Sequence, residues 1–121
     1  MADHISLQFE INSVIELYSN GNIQEALDSV EALISQHPEE SILYNIDGVC
    51  LKAIGQLEMA VKSFEKAIVI NSNFADAHYN LGLTLQELNQ IQAAVESYEE
   101  ALIIQPSYAE VQSPKAFVPC Y

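Results

Sequence analysis

The sequence predicts an all-α fold, a solenoid of three stacked helix-turn-helix units. The 121-residue chain repeats itself every 34 residues, and the apolar residues of each unit recur at helical spacing. One helix pair cannot bury its apolar stripe, whereas three stacked pairs share a continuous core. The repeated positions are Leu17, Leu51 and Leu85; Ala26, Ala60 and Ala94; Val30, Phe64 and Tyr98; Leu33, Ala67 and Ala101; Ile34, Ile68 and Leu102; and Pro38, Ser72 and Pro106.

Two polar breaks in each unit set the helix boundaries. The first break holds Gly or Asn, which tolerate the left-handed conformation that ends a helix: residues 20–22, 55–56 and 89–90. The second break lies at 37–38, 71–73 and 105–107, and proline stops the helix in two of these three. We therefore predict helices near residues 5–19, 23–36, 41–54, 57–70, 75–88 and 91–104.

Capping side chains are predicted at three of the helix starts. A polar residue three positions before a carboxylate is typical of a helix N-terminus. The predicted pairs are Asn22 with Glu25, Asn73 with Asp76, and Ser107 with Glu110.

Small residues mark where two helices approach closely. Gly48 and Gly82, together with the repeated alanines, permit a short interaxial distance, and Phe64 and Tyr98 fill the spaces between neighbouring helices. Val14 replaces the glycine in the first unit, which predicts looser packing there.

The pattern Leu81-Gly82 with Leu85, Ala94, Tyr98, Ala101 and Pro106 resembles the tetratricopeptide (TPR) repeat family. The resemblance covers residues 7 to about 108 and is strongest in the last two units. It implies a right-handed superhelix whose first helices line a concave groove, and a role in holding other proteins without catalysis. It divides the chain into a lead-in (1–6), repeats at 7–40, 41–74 and 75–108, and residues 109–121, which are an irregular tail or the truncated start of a fourth repeat.

Helical spacing then identifies the side chains that face such a groove. Aliphatic and amide side chains together suit an extended or helical peptide, held by apolar anchors and by hydrogen bonds to its backbone. Alternatively, the aliphatic members are core between neighbouring helices. The predicted peptide-binding residues are Ile11, Asn12, Ile15, Tyr18, Asn45, Ile46, Val49, Lys52, Tyr79, Asn80, Leu83 and Gln86.

The acidic charge narrows the class of partner. The net charge is −13, with 17 acidic residues against 4 basic ones, so nucleic-acid and membrane-surface binding are not expected. Lys52 is the single basic residue of the predicted groove, which disfavours the acidic C-terminal tails that some TPR domains capture. We expect a neutral or basic protein or peptide; the alternative is that the charge only maintains solubility.

No catalytic residue, cofactor or metal site is predicted. His4, His37 and His78 are isolated, and no known nucleophile, phosphate-loop or metalloprotease motif occurs. Cys50 lies among apolar residues and is interpreted as core. An acidic N-terminus without a long apolar run predicts a soluble, cytoplasmic protein.

The end of the stack leaves a second hypothesis open. The last helix has an uncovered apolar face, so a homodimer through that face is an alternative function. The tail either packs back over this helix or leaves it to a second copy. A further alternative is an N-terminal interaction fragment of a longer multidomain protein. The predicted self-association residues are Ile91, Val95, Leu102 and Ile103.

Overall fold

The computed structural model describes the backbone of residues 2–108 and the side chains of residues 6–108. Within that span it contains helices and turns only. The helices are α1 (Ala2–Ser19), α2 (Ile23–Gln36), α3 (Ser41–Ala53), α4 (Leu57–Ile70), α5 (Ala75–Glu87) and α6 (Ile91–Ile104). The predicted bounds of α2 to α6 are confirmed to within one residue. The predicted tail at 109–121 and the capping residue Glu110 lie outside the described residues.

Consecutive helices pack against each other in three pairs, α1 with α2, α3 with α4, and α5 with α6. The pairs stack because α2 also packs on α3 and α4 on α5, while α3 directly approaches both α1 and α5. The result is the predicted all-α solenoid. None of the described helices is both long and apolar enough to cross a membrane.

The turn inside each pair has the same geometry three times. Gly21, Gly55 and Asn89 have φ values of 87°, 85° and 64°, as the first polar breaks predict. The backbone N–H of each donates to a carbonyl three residues earlier at 3.0 Å, and the next N–H donates to a carbonyl five residues earlier. These two bonds define a Schellman motif, which satisfies carbonyls at the end of the first helix.

The side-chain caps predicted at Asn22 and Asn73 are wrong. Asn22 is the N-cap of α2 but its side chain makes no capping hydrogen bond, and the N-cap of α5 is Phe74 rather than Asn73. The side chain of Asn22 does not cap α2 because the link between α1 and α2 is short. The backbone of Asn22 also completes the Schellman turn that ends α1. Its ψ of 64° lies outside the extended region from which a capping side chain reaches the helix. Asn73 instead donates its backbone N–H to Asn71 Oδ1 at 3.2 Å.

Glycine and an aromatic ring pack together in the second and third pairs. A Cβ on Gly48 would lie 2.6 Å from Phe64 Cε1, and one on Gly82 would lie 2.7 Å from the Tyr98 ring. The predicted close approach of these helices is thus confirmed. In the first pair, Val14 replaces the glycine and Val30 replaces the aromatic ring, and both valines are buried. The described parts of α1 and α2 pack less closely than the other pairs, as predicted.

Candidate functional site

The first helices α1, α3 and α5 lie side by side and present a common exposed side, which we call the groove surface. Asn12, Ile15 and Gln86 are exposed there. The other predicted residues on this surface are half-buried, so they contact neighbouring helices and solvent at once. They are Tyr18, Asn45, Ile46, Val49, Lys52, Tyr79, Asn80 and Leu83.

Ile11 does not belong to the groove surface. Its side chain is 3% exposed and forms part of the core with Leu7 and Val14. The spacing of these three residues, four and then three positions, places them on one face of α1, against the rest of the stack. The prediction that Ile11 contacts a peptide is therefore corrected.

Two polar contacts link α3 to α5 across the groove surface. Asn80 Nδ2 donates to Asn45 Oδ1 at 3.1 Å. Two turns further along both helices, Lys52 Nζ lies 2.8 Å from Glu87 Oε2. Both pairs are separated by 35 residues in sequence, so they have the same register. They hold the two helices in alignment, and the ion pair uses the single basic side chain of the predicted groove.

Three tyrosines cluster where the described chain ends. The ring centroid of Tyr79 lies 5.8 Å from that of Tyr98 and 5.2 Å from that of Tyr108. Tyr98 Oη donates to Gln86 Oε1 at 2.6 Å. Burial, together with Tyr79 and Glu87, raises the pKa of the Tyr98 phenol to about 12. Sequence reasoning missed Tyr98 as a neighbour of the groove, because Tyr98 lies on α6 and the groove was predicted from the first helix of each pair alone.

The predicted self-association residues divide into two groups. Ile91, Val95 and Leu102 are 51%, 40% and 37% exposed, although their equivalents in the earlier pairs are buried or half-buried under the next pair. We call these three residues the α6 patch. Ile103 is 73% exposed, but its equivalent Val69 is also 79% exposed, so this position faces solvent even where another pair follows.

His78 and Cys50 are structural residues. His78 is buried, and its Nε2 lies 3.1 Å from the carbonyl of Ser72. Cys50 is fully buried, as predicted, and burial together with Asp47 and Glu31 raises the pKa of its thiol to about 11. His4 lies where side chains are not described. Across the described residues, no group of three His, Cys, Asp or Glu side chains is placed to hold a metal ion.

Family models match the second half of this architecture. A model described as "TPR repeat" matches residues 51–89, and one described as "Tetratricopeptide repeat" matches residues 75–108. The peroxisomal targeting signal receptor of Candida albicans is 33% identical over 64 residues, which span 53% of this chain and 11% of the receptor.

Several solved structures share the fold. MamA superposes with a TM-score of 0.80 at 24% identity over 90% of this chain and 64% of that one. The type III secretion translocator chaperone SycD of Yersinia enterocolitica gives 0.85 at 17% identity over 98% and 82%. The second TPR of Spaghetti (RPAP3), bound to the HSP90 peptide SRMEEVD, gives 0.76 at 18% identity over 79% and 89%. This chain thus spans 11% of the curated receptor and just under two thirds of MamA.

Fold and comparisons together define the class of the chain as an all-α repeat solenoid. Within that class, residues 51–108 of the chain match tetratricopeptide repeat models.

Proposed function

We propose that the chain is a non-catalytic scaffold that binds a peptide or protein segment on the groove surface. The observation that carries the proposal is the continuous strip of half-exposed aliphatic and amide side chains across α3 and α5, fixed by the Asn45–Asn80 hydrogen bond. Peptide-bound TPR structures with the same fold, including the complex of SycD with a peptide of YopD, support this role.

The partner segment is neutral or basic. Lys52 is already paired with Glu87, so the predicted groove residues offer no free cation to an acidic peptide. Asp76 and Glu16 are exposed on the same first helices, and their charge repels a carboxylate-rich segment. This distinguishes the expected partner from the acidic peptide SRMEEVD bound by Spaghetti.

A peptide-library selection tests the proposal directly. Neutral or basic sequences should be enriched on the wild-type chain, and the Asn45→Ala, Asn80→Ala double variant should weaken the selected peptides at least about tenfold, as loss of central interface residues does. Gln92→Ala, an exposed amide on α6 outside the groove surface, is the control and should bind as the wild type does.

Two other outcomes separate the parts of the proposal. Retained binding by the double variant, at unchanged helicity, would place the peptide elsewhere. Tight binding of SRMEEVD itself would leave the groove in place but contradict the expected partner charge.

The alternative function is self-assembly through the α6 patch. The exposure of three apolar side chains whose equivalents are covered favours it. Solution mass by light scattering decides the question: Val95→Glu with Leu102→Glu should convert a dimer to a monomer, and Ile103→Glu, outside the patch, should not. A wild-type monomer at all concentrations would exclude this function.

The remaining alternative, an N-terminal interaction fragment of a longer protein, assigns the same role to the groove surface. A cytoplasmic location stays a prediction.

A further inference from the structure

One side of α1 is open at the beginning of the stack. Phe9, Ser13 and Glu16 lie on this side, since they are spaced four and then three residues apart along the helix. All three side chains are exposed, and Phe9 is 71% exposed although it is a large aromatic residue. We call these three residues the α1 end face.

The equivalent residues of the later first helices are buried. Because α3 packs on α2 and α5 packs on α4, this side of each helix is covered by the pair that precedes it. Among the described residues, α1 has no pair before it. The covered equivalents are Leu43, Asp47 and Cys50 on α3, and Ala77, Leu81 and Thr84 on α5.

The α6 patch is the other half of the same contact. Within the stack, Ile34 of α2 borders the same cleft as Asp47 of α3. Leu102 of the α6 patch is the equivalent of Ile34, and Ser13 of the α1 end face is the equivalent of Asp47. The described stack therefore ends in two surfaces whose equivalents contact each other inside it.

We propose that copies of the chain associate end to end, with the α1 end face of one copy on the α6 patch of the next. The contact continues between two molecules the packing of α3 on α2 and of α5 on α4. It names the partner surface of the α6 patch, so it rests on the alternative function of self-assembly and is independent of the groove surface. Two different surfaces joined in this way produce oligomers that grow, unless the copies close into a ring.

Two residues of the α1 end face suit this contact. Phe9 holds the position of Leu43 and Ala77, both fully buried, and brings an aromatic side chain to the apolar α6 patch. Ser13 brings a hydroxyl to the position where Asp47 brings a carboxylate, so the contact between copies buries no acidic group at that place.

Glu16 limits the strength of the contact. Its equivalents Cys50 and Thr84 are fully buried, so an end-to-end contact takes the Glu16 carboxylate out of water. The net charge of −13 on each copy adds a repulsion that salt screens. We therefore expect a weak association that strengthens as salt is added. A basic peptide on the groove surface has the opposite dependence on salt.

Light scattering of the full chain, over a range of concentrations at low and high salt, tests the proposal. The average mass should rise with concentration without a plateau at the dimer, and it should rise further at high salt. Phe9→Glu should give monomers, because it places a second carboxylate in the contact. Val69→Glu is the matched control, since Val69 is 79% exposed on α4 inside the stack, and it should leave the mass unchanged.

A mixing experiment tests whether the two surfaces are partners. The Phe9→Glu variant keeps the α6 patch, whereas the Val95→Glu, Leu102→Glu variant keeps the α1 end face, so each should be a monomer alone. An equal mixture should form heterodimers and nothing larger, because one intact contact remains. A mixture that stays monomeric would overturn the proposal. Dimers of the Phe9→Glu variant alone would also overturn it, in favour of a two-fold contact between α6 patches.

Glu16→Thr, which copies α5, should strengthen the association at least about tenfold, because the contact then buries no charge. Glu58→Thr removes the same charge from α4, where the equivalent residues of α2 and α6 are exposed as well, and should have a far smaller effect. Equal effects of both variants would contradict the contact. If the wild type and Glu16→Thr both stay monomeric at every concentration, the proposal is wrong, and peptide binding on the groove surface is unaffected. Residues 109–121 of the same chain would then be the next segment to test as a cover for the α6 patch.

Discussion

The ring of Phe64 on α4 lies directly over the backbone of Gly48 on α3, so that a Cβ at residue 48 would meet Phe64 Cε1 at 2.6 Å. The same contact recurs between Gly82 and Tyr98, whereas Val14 and Val30 hold the equivalent positions in the first pair. Each helix pair is therefore joined at one point by residues whose sizes are complementary.

Gly48→Ala should destabilise the fold. The fully buried Phe64 ring cannot move aside, and overpacking of this kind costs typically about 1–3 kcal/mol, more than the helix propensity gained from alanine. Urea unfolding measures the change. Adding Phe64→Leu should recover part of the loss; if the double variant is no more stable than the sum of the single changes predicts, the ring contact is not the cause.

Gly55→Ala tests backbone conformation without a packing change. Gly55 has a φ of 85°, and a Cβ there would have no atom within 4 Å. The left-handed conformation costs an alanine about 1–2 kcal/mol, so the free energy of unfolding should fall by that amount. Asn89→Gly, at the equivalent turn with a φ of 64°, should leave stability unchanged or raise it slightly. Equal destabilisation by both variants would contradict this explanation.

Asp47→Leu should stabilise the protein at neutral pH. Leucine fills the site as Leu81 does, and removal of a buried polar atom without a partner is worth about 1–3 kcal/mol.

The stability gain from Asp47→Leu should shrink at acid pH. The pKa values of Asp47 and Glu31 are raised above their ordinary values of 3.8 and 4.5. Below those values both carboxyls are protonated, and the stability that the fold gains from binding these protons is complete. This stability is lost as the pH rises through the folded-state pKa values. Urea unfolding at pH 4 and pH 7 should show the larger difference between variant and wild type at pH 7. A difference independent of pH would mean that Asp47 does not titrate as described.

Cys50 should resist alkylation in the folded protein. Its side chain is fully buried and its pKa is about 11, so little thiolate is present at pH 8. In a Cys120→Ser background, iodoacetamide should modify Cys50 only when urea unfolds the chain. Modification at the same rate in native buffer would show that α3 opens readily.

The sequence by itself determined the helices and the turns between them. The apolar period and the Gly or Asn residues at 21, 55 and 89 act within one or two helical turns, so their effect is visible in adjacent residues. The predicted caps failed for an equally local reason, since Asn22 cannot complete a Schellman turn and also cap the next helix with its side chain.

The eleven residues of the groove surface could be listed from the sequence, because they recur at helical spacing along the first helices. The contacts within this surface could not. The Asn45–Asn80 and Lys52–Glu87 pairs depend on the register of α3 against α5. Sequence spacing within either helix contains no information about that register.

Burial in particular was decided by tertiary structure. Leu102 and Ile103 are adjacent apolar residues on α6, yet only the comparison with covered equivalents in the earlier pairs separates the α6 patch from a solvent-facing position.

The burial of Asp47 was not predicted from the sequence, because an acidic residue is ordinarily exposed. Only the packing of α2 and α4 around α3 removes its carboxylate from water, and that depends on side chains from three helices arriving at one place.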